Sequence, residues 1–425
     1  MAPSRRKSQA RATRQPLDVV GVCVKRIGTR PTFRSTRQGC WKNQIFEEKK
    51  ENNLMTIAIP QSAADFTPDL FTKVARQLYP DLTVTNAKLI KLHAYGEGNV
   101  STTERATFEL EYGPGAPDLP KRVMLKLSLG SPDQDPDAWY LQLYALFRNE
   151  VNFYNGIRPE LEIEAPRTLG GYFDPETKQY LLVLEDLSER NASFPTMLDV
   201  VEVSDVQHVL DTYAKLHATF WGSSRFSQDL SWVETHLEGG VETLMRSAIP
   251  VGIRNELSLH KFKRETLEWL GTTEPQLFAG MCALKAHQAT LPQTLLHGDS
   301  HLMNTYRLPD GTGGLHDWQL CVRGYALNDV SYFITTALSI DLRRKHEREL
   351  LRYYREKLLS FGVASPPDEE TLWNEHRRAT HWSLYNGWIP CPAESYGWDL
   401  LATAMQRVAV AFSDHDTHRL VAQIS

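Results

Sequence analysis

His297-Gly298-Asp299-Ser300-His301-Leu302-Met303-Asn304 is followed, beyond one short apolar segment, by Asp317-Trp318-Gln319. The Pro309-Asp310-Gly311-Thr312-Gly313-Gly314 run between them reads as a turn, so Asp317 is expected to close the second strand of a hairpin. An Asp and an Asn on one loop, with a second Asp just past the next strand, offer hard oxygen ligands to one or two divalent cations. Taken singly, His-Gly-Asp is an ordinary turn and Asp317 a strand-end residue. Three residue types at this spacing, in a strand-turn-strand context, point instead to one joint site.

Around this centre, the chain of 425 residues is 41 % hydrophobic, enough for a large core in one domain of two lobes or in two domains. Charge is uneven. Residues 1–54 hold thirteen Lys/Arg against four Asp/Glu, so the rest carries a net charge of about −14. An acidic body argues against nucleic acid as a partner, because binding there requires a basic face that displaces counterions. It is compatible with a cationic substrate. Cys23, Cys40, Cys282, Cys321 and Cys391 are odd in number and dispersed, giving neither a disulfide framework nor a zinc site, as in an intracellular protein with reduced thiols. No run reaches the roughly 18 apolar residues of a membrane helix, so no membrane partner is expected and the location is read as cytoplasmic. The basic tail, residues 1–54, is read as a disordered extension or as an upstream start ahead of Met55. Organelle targeting is the sharper alternative. Oligomeric state stays open.

Periodicity divides the remainder at about residue 185. Thr67 and Pro68 mark a helix start, with Leu70, Phe71, Val74 and Leu78 on one face. Between Lys88 and Ser128 the period falls to two: Ala106, Phe108, Leu110 and Tyr112 alternate with polar partners, as do Val123, Leu125 and Leu127. An antiparallel sheet is expected there, then a helix around Tyr140–Tyr154 and a strand at Tyr180–Leu184. Beyond Leu187 the pattern is mostly helical, with Ser204 and Asp341 as expected helix caps and short strands near Thr294–Leu296 and Gly314–Asp317. The expected fold class is α+β: a small antiparallel β-rich lobe over residues 55–185 and a larger helical lobe over 186–425.

Phosphoryl transfer needs a carboxylate beside the attacking hydroxyl and oxygen ligands for magnesium on the phosphates. The Asp299-to-Asn304 spacing equals that of a kinase catalytic loop, His-x-Asp with four residues before Asn. Residues Leu296–Ile334 resemble the aminoglycoside phosphotransferase/choline kinase superfamily. The Asp-Trp-Gln run and Leu216-His217-Ala218-Thr219-Phe220-Trp221 narrow the resemblance to its ecdysteroid-kinase-like branch, in element order over roughly residues 65–425. That resemblance implies a protein-kinase-like bilobal fold with ATP between the lobes. It implies Asp299 as catalytic base, Asn304 and Asp317 as magnesium ligands, and Asp329 as an acid that braces the fold. Met303 and His316 depart from the family pattern, where a small and an aliphatic residue are usual. His316 either tunes Asp317 or simply ends its strand, and the second reading is favoured.

The nucleotide side is less sharply written. Gly96-Glu97-Gly98-Asn99 is a turn whose amides, through Gly96 and Gly98, could approach phosphates, although any Gly-x-Gly hairpin looks alike. Lys126 alternates away from Val123, Leu125 and Leu127, so it faces the other side of its strand, as a phosphate-binding lysine or a solvated one. Glu150 resembles the helix glutamate that pairs with such a lysine. Glu185 and Leu187 resemble the hinge whose backbone meets adenine. His217 reads as a satisfied core or supporting histidine, and Trp373, Trp382, Tyr385, Trp388 and Trp398 as core more than pocket. The expected activity is ATP- and magnesium-dependent transfer of a γ-phosphate to a hydroxyl of a small metabolite, steroid-like compound, amino alcohol or antibiotic. The alternative is a catalytically silent nucleotide-binding or scaffold protein. A protein kinase is disfavoured by His-Gly-Asp for His-Arg-Asp, Asp-Trp-Gln for Asp-Phe-Gly, and the lack of Ala-Pro-Glu.

Overall fold

A computed structural model describes residues 57–93, 103–128 and 143–424. The 1–54 tail and the Gly96-Glu97-Gly98-Asn99 turn lie outside the described residues. The smaller lobe is built on a five-stranded antiparallel sheet of β1 (Val84–His93), β2 (Thr103–Tyr112), β3 (Arg122–Ser128), β4 (Thr168–Phe173) and β5 (Tyr180–Glu185), in spatial order β1-β2-β3-β5-β4. Helix α1 (Pro68–Ala75) covers one face, started by Thr67, whose Oγ1 accepts from the Leu70 N–H at 3.3 Å. The period-two reading holds: Phe108, Leu110, Val123, Leu125, Leu127, Leu181 and Val183 are buried with Phe71 and Val74 of α1. Each large side chain of this layer contributes about 1.5–3 kcal/mol by leaving water. Met124 and Lys126 stand on the opposite face of β3 and are only partly buried.

Strand β4 is absent from the sequence reading for a physical reason. Its Gly170-Gly171 pair sits at a register shift against β5, and the left-handed φ of +125° at Gly170 brings the strand so close to α1 that a Cβ would lie 2.8 Å from the Val74 carbonyl. The strand is a close-approach element, so it shows no alternation of side chains.

Helix α2 (Tyr144–Asn152) runs on the cleft side of the sheet and widens into a π turn at Phe153–Ile157. The larger lobe comprises α3 (Val203–Phe220), α4 (Gly240–Leu259), α5 (Lys261–Trp269), α6 (Glu274–Gln288), α7 (Leu327–Ala337), α8 (Ile340–Ser360), α9 (Glu369–Trp382), α10 (Ala393–Tyr396), α11 (Trp398–Asp414) and α12 (Thr417–Ala422). Two small antiparallel pairs are set into it: β6 (Thr294–Leu296) with β9 (Val322–Gly324), and β7 (Thr305–Arg307) with β8 (Gly313–Leu315). The α+β bilobal architecture stands as expected. Two helix caps differ from expectation. Helix α3 begins after Glu202, whose N–H donates to the Asp205 carboxylate at 3.2 Å, so Ser204 lies inside the helix. Helix α8 is capped by Ser339, whose Oγ accepts from Leu342, which places Asp341 in its first turn. In both cases an adjacent side chain reaches the free helix amides first.

Candidate active site

The His297–Asn304 loop joins β6 to β7, and its shape is dictated at Gly298. This residue has φ +84°, and a Cβ there would stand 1.9 Å from the Leu320 carbonyl oxygen, so only glycine fits. The turn is then fastened from below. The Asp329 carboxylate, in the first turn of α7, accepts from the His297 N–H at 2.7 Å and the Gly298 N–H at 3.0 Å. Ser300 Oγ donates to the Asp329 carbonyl at 3.0 Å. His217, fully buried on α3, places Nε2 3.2 Å from the same carboxylate and Nδ1 2.8 Å from the Tyr354 hydroxyl. Burial alone would raise the Asp329 carboxyl; His217 and the donated N–H groups outweigh it and hold the acid below the usual carboxylate range. His217 is thus the satisfied supporting histidine the sequence indicated.

On this base the loop presents Asp299 to the cleft. Asn304 Nδ2 donates to the Asp299 carbonyl at 2.7 Å and to Asp299 Oδ2 at 3.0 Å, while its side-chain oxygen takes part in no hydrogen bond with the described residues. The neighbouring turn is locked to the loop through His297, whose Nε2 lies 2.9 Å from the His316 carbonyl, and through the His316 N–H, which donates to the Asn304 carbonyl at 3.0 Å. His316 follows the last residue of β8 directly. Burial lowers its imidazole to about 4, so it is neutral near pH 7 and puts no charge beside Asp317.

Asp317 adopts the left-handed conformation, φ 67° and ψ 69°, a strained geometry that Asp tolerates better than most side chains. Its buried Oδ1 lies 3.5 Å from Lys126 Nζ, and no other described residue donates to it. Burial would raise this acid, but the Lys126 ammonium brings it below the ordinary value. Lys126 in turn bonds Glu150 Oε1 at 2.7 Å. Burial would lower the ammonium, and Asp317 and Glu150 hold it above its ordinary range. The strand lysine, the helix glutamate and the second acid, distant in sequence, form one chain across the cleft.

Asn149, one residue before Glu150, locks α2 to the same turn by donating to the Gln319 and Cys321 carbonyls at 3.0 and 2.5 Å. Phe153 stacks on Trp318 at 3.9 Å between centroids. Neither contact was legible in the sequence, because each joins residues more than 150 positions apart. Near the hinge, Glu185 is buried. Its carboxylate accepts from the Arg167 N–H at 3.1 Å and lies 3.7 Å from Arg190, and its own N–H donates to the Arg167 carbonyl at 2.8 Å. Leu187 packs its side chain against Tyr306 and Leu308. Trp382, Tyr385 and Trp388 are core residues as expected; Trp373 is half-buried and Trp398 is exposed.

The donor set suits a hard divalent cation. Asp317 Oδ1 is buried with only the Lys126 ammonium beside it, at 3.5 Å, no described residue donates to the Asn304 side-chain oxygen, and both belong to turns locked to one another. Among solved structures, the chain is similar to choline kinase from Cryptosporidium parvum (11 % identity, 79 % of this chain and 90 % of that chain, TM-score 0.45). It is also similar to ethanolamine kinase from Plasmodium vivax (11 %, 77 % and 83 %, 0.42). A third is a spectinomycin phosphotransferase in complex with ADP and spectinomycin (12 %, 80 % and 94 %, 0.38). No curated protein matches the sequence. The model of the ecdysteroid kinase-like family matches residues 95–361, well over half of the chain and including Lys126, Glu150, the catalytic loop and the Asp317 turn; the chain belongs to that family.

Proposed function

We propose that this protein transfers the γ-phosphate of ATP to a hydroxyl of a small molecule. The observation that carries the reading is the approach of Lys126 to Asp317 across the cleft, 3.5 Å apart, beside a loop that offers Asp299 and Asn304. Lys126, held by Glu150, binds the α/β-phosphates. The carbonyl of Glu185 and the backbone of Leu187 meet the adenine, and Gly96 and Gly98, outside the described residues, serve as phosphate contacts. Asn304 and Asp317 hold magnesium, which when bound neutralises phosphate charge. Asp299 accepts the proton of the acceptor hydroxyl as its oxygen attacks the γ-phosphorus in line with the departing ADP oxygen. Holding two reactants in that geometry, with charge neutralised in advance, supplies most of the rate in such chemistry.

The acceptor is a hydroxylated metabolite, steroid-like compound, amino alcohol or antibiotic. Magnesium-dependent ATP binding and the mass gain of pooled hydroxylated compounds test the reading, with Asp299→Asn as control. A product made by the wild type and reduced about 10²- to 10⁴-fold in the variant, the range of general-base catalysis, supports it. Nucleotide binding without any transfer to compounds or water indicates the silent binder instead, and failure to bind ATP removes the roles of Lys126 and Asp317.

A further inference from the structure

His301, two residues after Asp299, belongs to the catalytic loop but has no part in the scheme above. Its Nε2 lies 3.7 Å from Asp299 Oδ2, the same oxygen that accepts from Asn304 Nδ2 at 3.0 Å. Its ring packs edge-on against Tyr332 at 5.8 Å and Trp388 at 5.6 Å, both buried, so the imidazole cannot swing away without opening the core. Its Nδ1 is buried and meets no hydrogen-bond partner among the described residues. A proton on Nδ1 would be a buried N–H without an acceptor, among the rarest arrangements in folded proteins. A proton on Nε2 points instead at the Asp299 carboxylate. The tautomer is therefore set by what surrounds the ring, with Nε2–H facing Asp299 Oδ2.

From these contacts we infer that His301 is a positioning residue for the catalytic base. With Asn304 it holds Oδ2, leaving Oδ1 to receive the acceptor proton. This assignment rests on the phosphotransfer reading and adds to it. Contacts of this kind are long before the reactants bind and tighten in the reacting complex, so the 3.7 Å separation marks a bond poised to form. The aromatic ring wall gives a second, purely structural explanation for His301: it is a flat side chain filling space between Tyr332 and Trp388. The two explanations predict opposite rankings of substitutions.

His301→Gln keeps an N–H at about the reach of Nε2 and loses the ring. His301→Asn carries its amide only as far as Nδ1. His301→Phe keeps the ring and loses every N–H. If His301 positions Asp299, kcat for transfer to the acceptor found by mass gain, or to water as ATP hydrolysis, falls about 10- to 100-fold in Phe and Asn. In His301→Gln it stays within about fivefold of wild type, and KM for ATP moves less than about twofold in all three, as expected when a transition-state interaction alone is lost. Long-range ¹⁵N spectra of the wild type show the His301 proton on Nε2. A ring-filling role reverses the order, with Phe near wild type and Gln poorest, and that ranking, or a proton on Nδ1, overturns the assignment. A wild type that binds ATP and turns nothing over removes the phosphotransfer reading, and the role of His301 with it. Turnover unaffected by all three substitutions removes the role of His301 alone.

Discussion

Asp317 and Asp329 lie twelve positions apart on either side of β9, and both are held as carboxylates, yet their surroundings are opposite. Asp329 is buried and receives the His297 and Gly298 N–H groups and His217. Asp317 sits in left-handed backbone, and its buried Oδ1 meets only the Lys126 ammonium, at 3.5 Å, among the described residues. A carboxylate whose oxygens are already filled by fixed donors has nothing left to offer a ligand and serves the fold. One left short of donors, at a cost in local strain, is available to a cation. Counting donors separates these two acids, which acidity alone would not do.

The sharpest way to break that contrast is Asp329→Ala. It strips two buried N–H groups and a buried histidine of their acceptor at once. A loss of about 3–5 kcal/mol in urea unfolding is expected, as for a broken buried charge network. A loss below about 1 kcal/mol would mean that water replaces the carboxylate and that Asp329 is no brace.

Asp317→Asn is expected to do the reverse. With few bonds to lose, stability should stay within about 0.5–1 kcal/mol of wild type. Magnesium-dependent nucleotide affinity, read by titration calorimetry, should fall about a hundredfold, near 2.7 kcal/mol. Equal binding by variant and wild type would make Asp317 a turn residue and leave the contrast without content.

Acid should narrow the gap between the Asp329 variant and wild type. The folded-state value of Asp329 lies below its unfolded value of about 3.9, so the stability it contributes is whole above that pH and is lost as pH falls through the folded value. Unfolding free energies of wild type and Asp329→Asn, measured from pH 6 down to pH 3, should approach one another only below about pH 4. Convergence already at pH 6 would mean that the acid is not depressed. This is the smallest effect, on the order of 1 kcal/mol over the last pH unit.

Read from the chain alone, the turns of the 297–304 and 309–317 segments were legible because their information is local. Gly298 is needed for a left-handed turn, Asp299 and Asn304 stand close enough to bond each other directly, and the Asp317 hairpin is set by its own glycines. The sheet and α1 were legible because burying one face imposes a period of two or 3.6 on nearby residues. Strand β4 was not, since two glycines at a close approach leave no side-chain pattern.

The caps of α3 and α8 were misplaced by one or two residues, because Ser, Glu and Asp compete for the same free amides and only geometry decides. The pairing of Lys126 with Glu150 was expected by resemblance; its extension to Asp317 across the cleft was not, nor was the return of His301 towards Asp299 Oδ2. Residue order and spacing were sufficient to specify which chemical groups this protein carries and what local turns present them. Which of its acids is saturated, which meets a single ammonium, and which histidine turns towards Asp299 depend on contacts between segments distant along the chain. Those contacts are selected by packing of the whole molecule, a term that no local stretch of sequence contains.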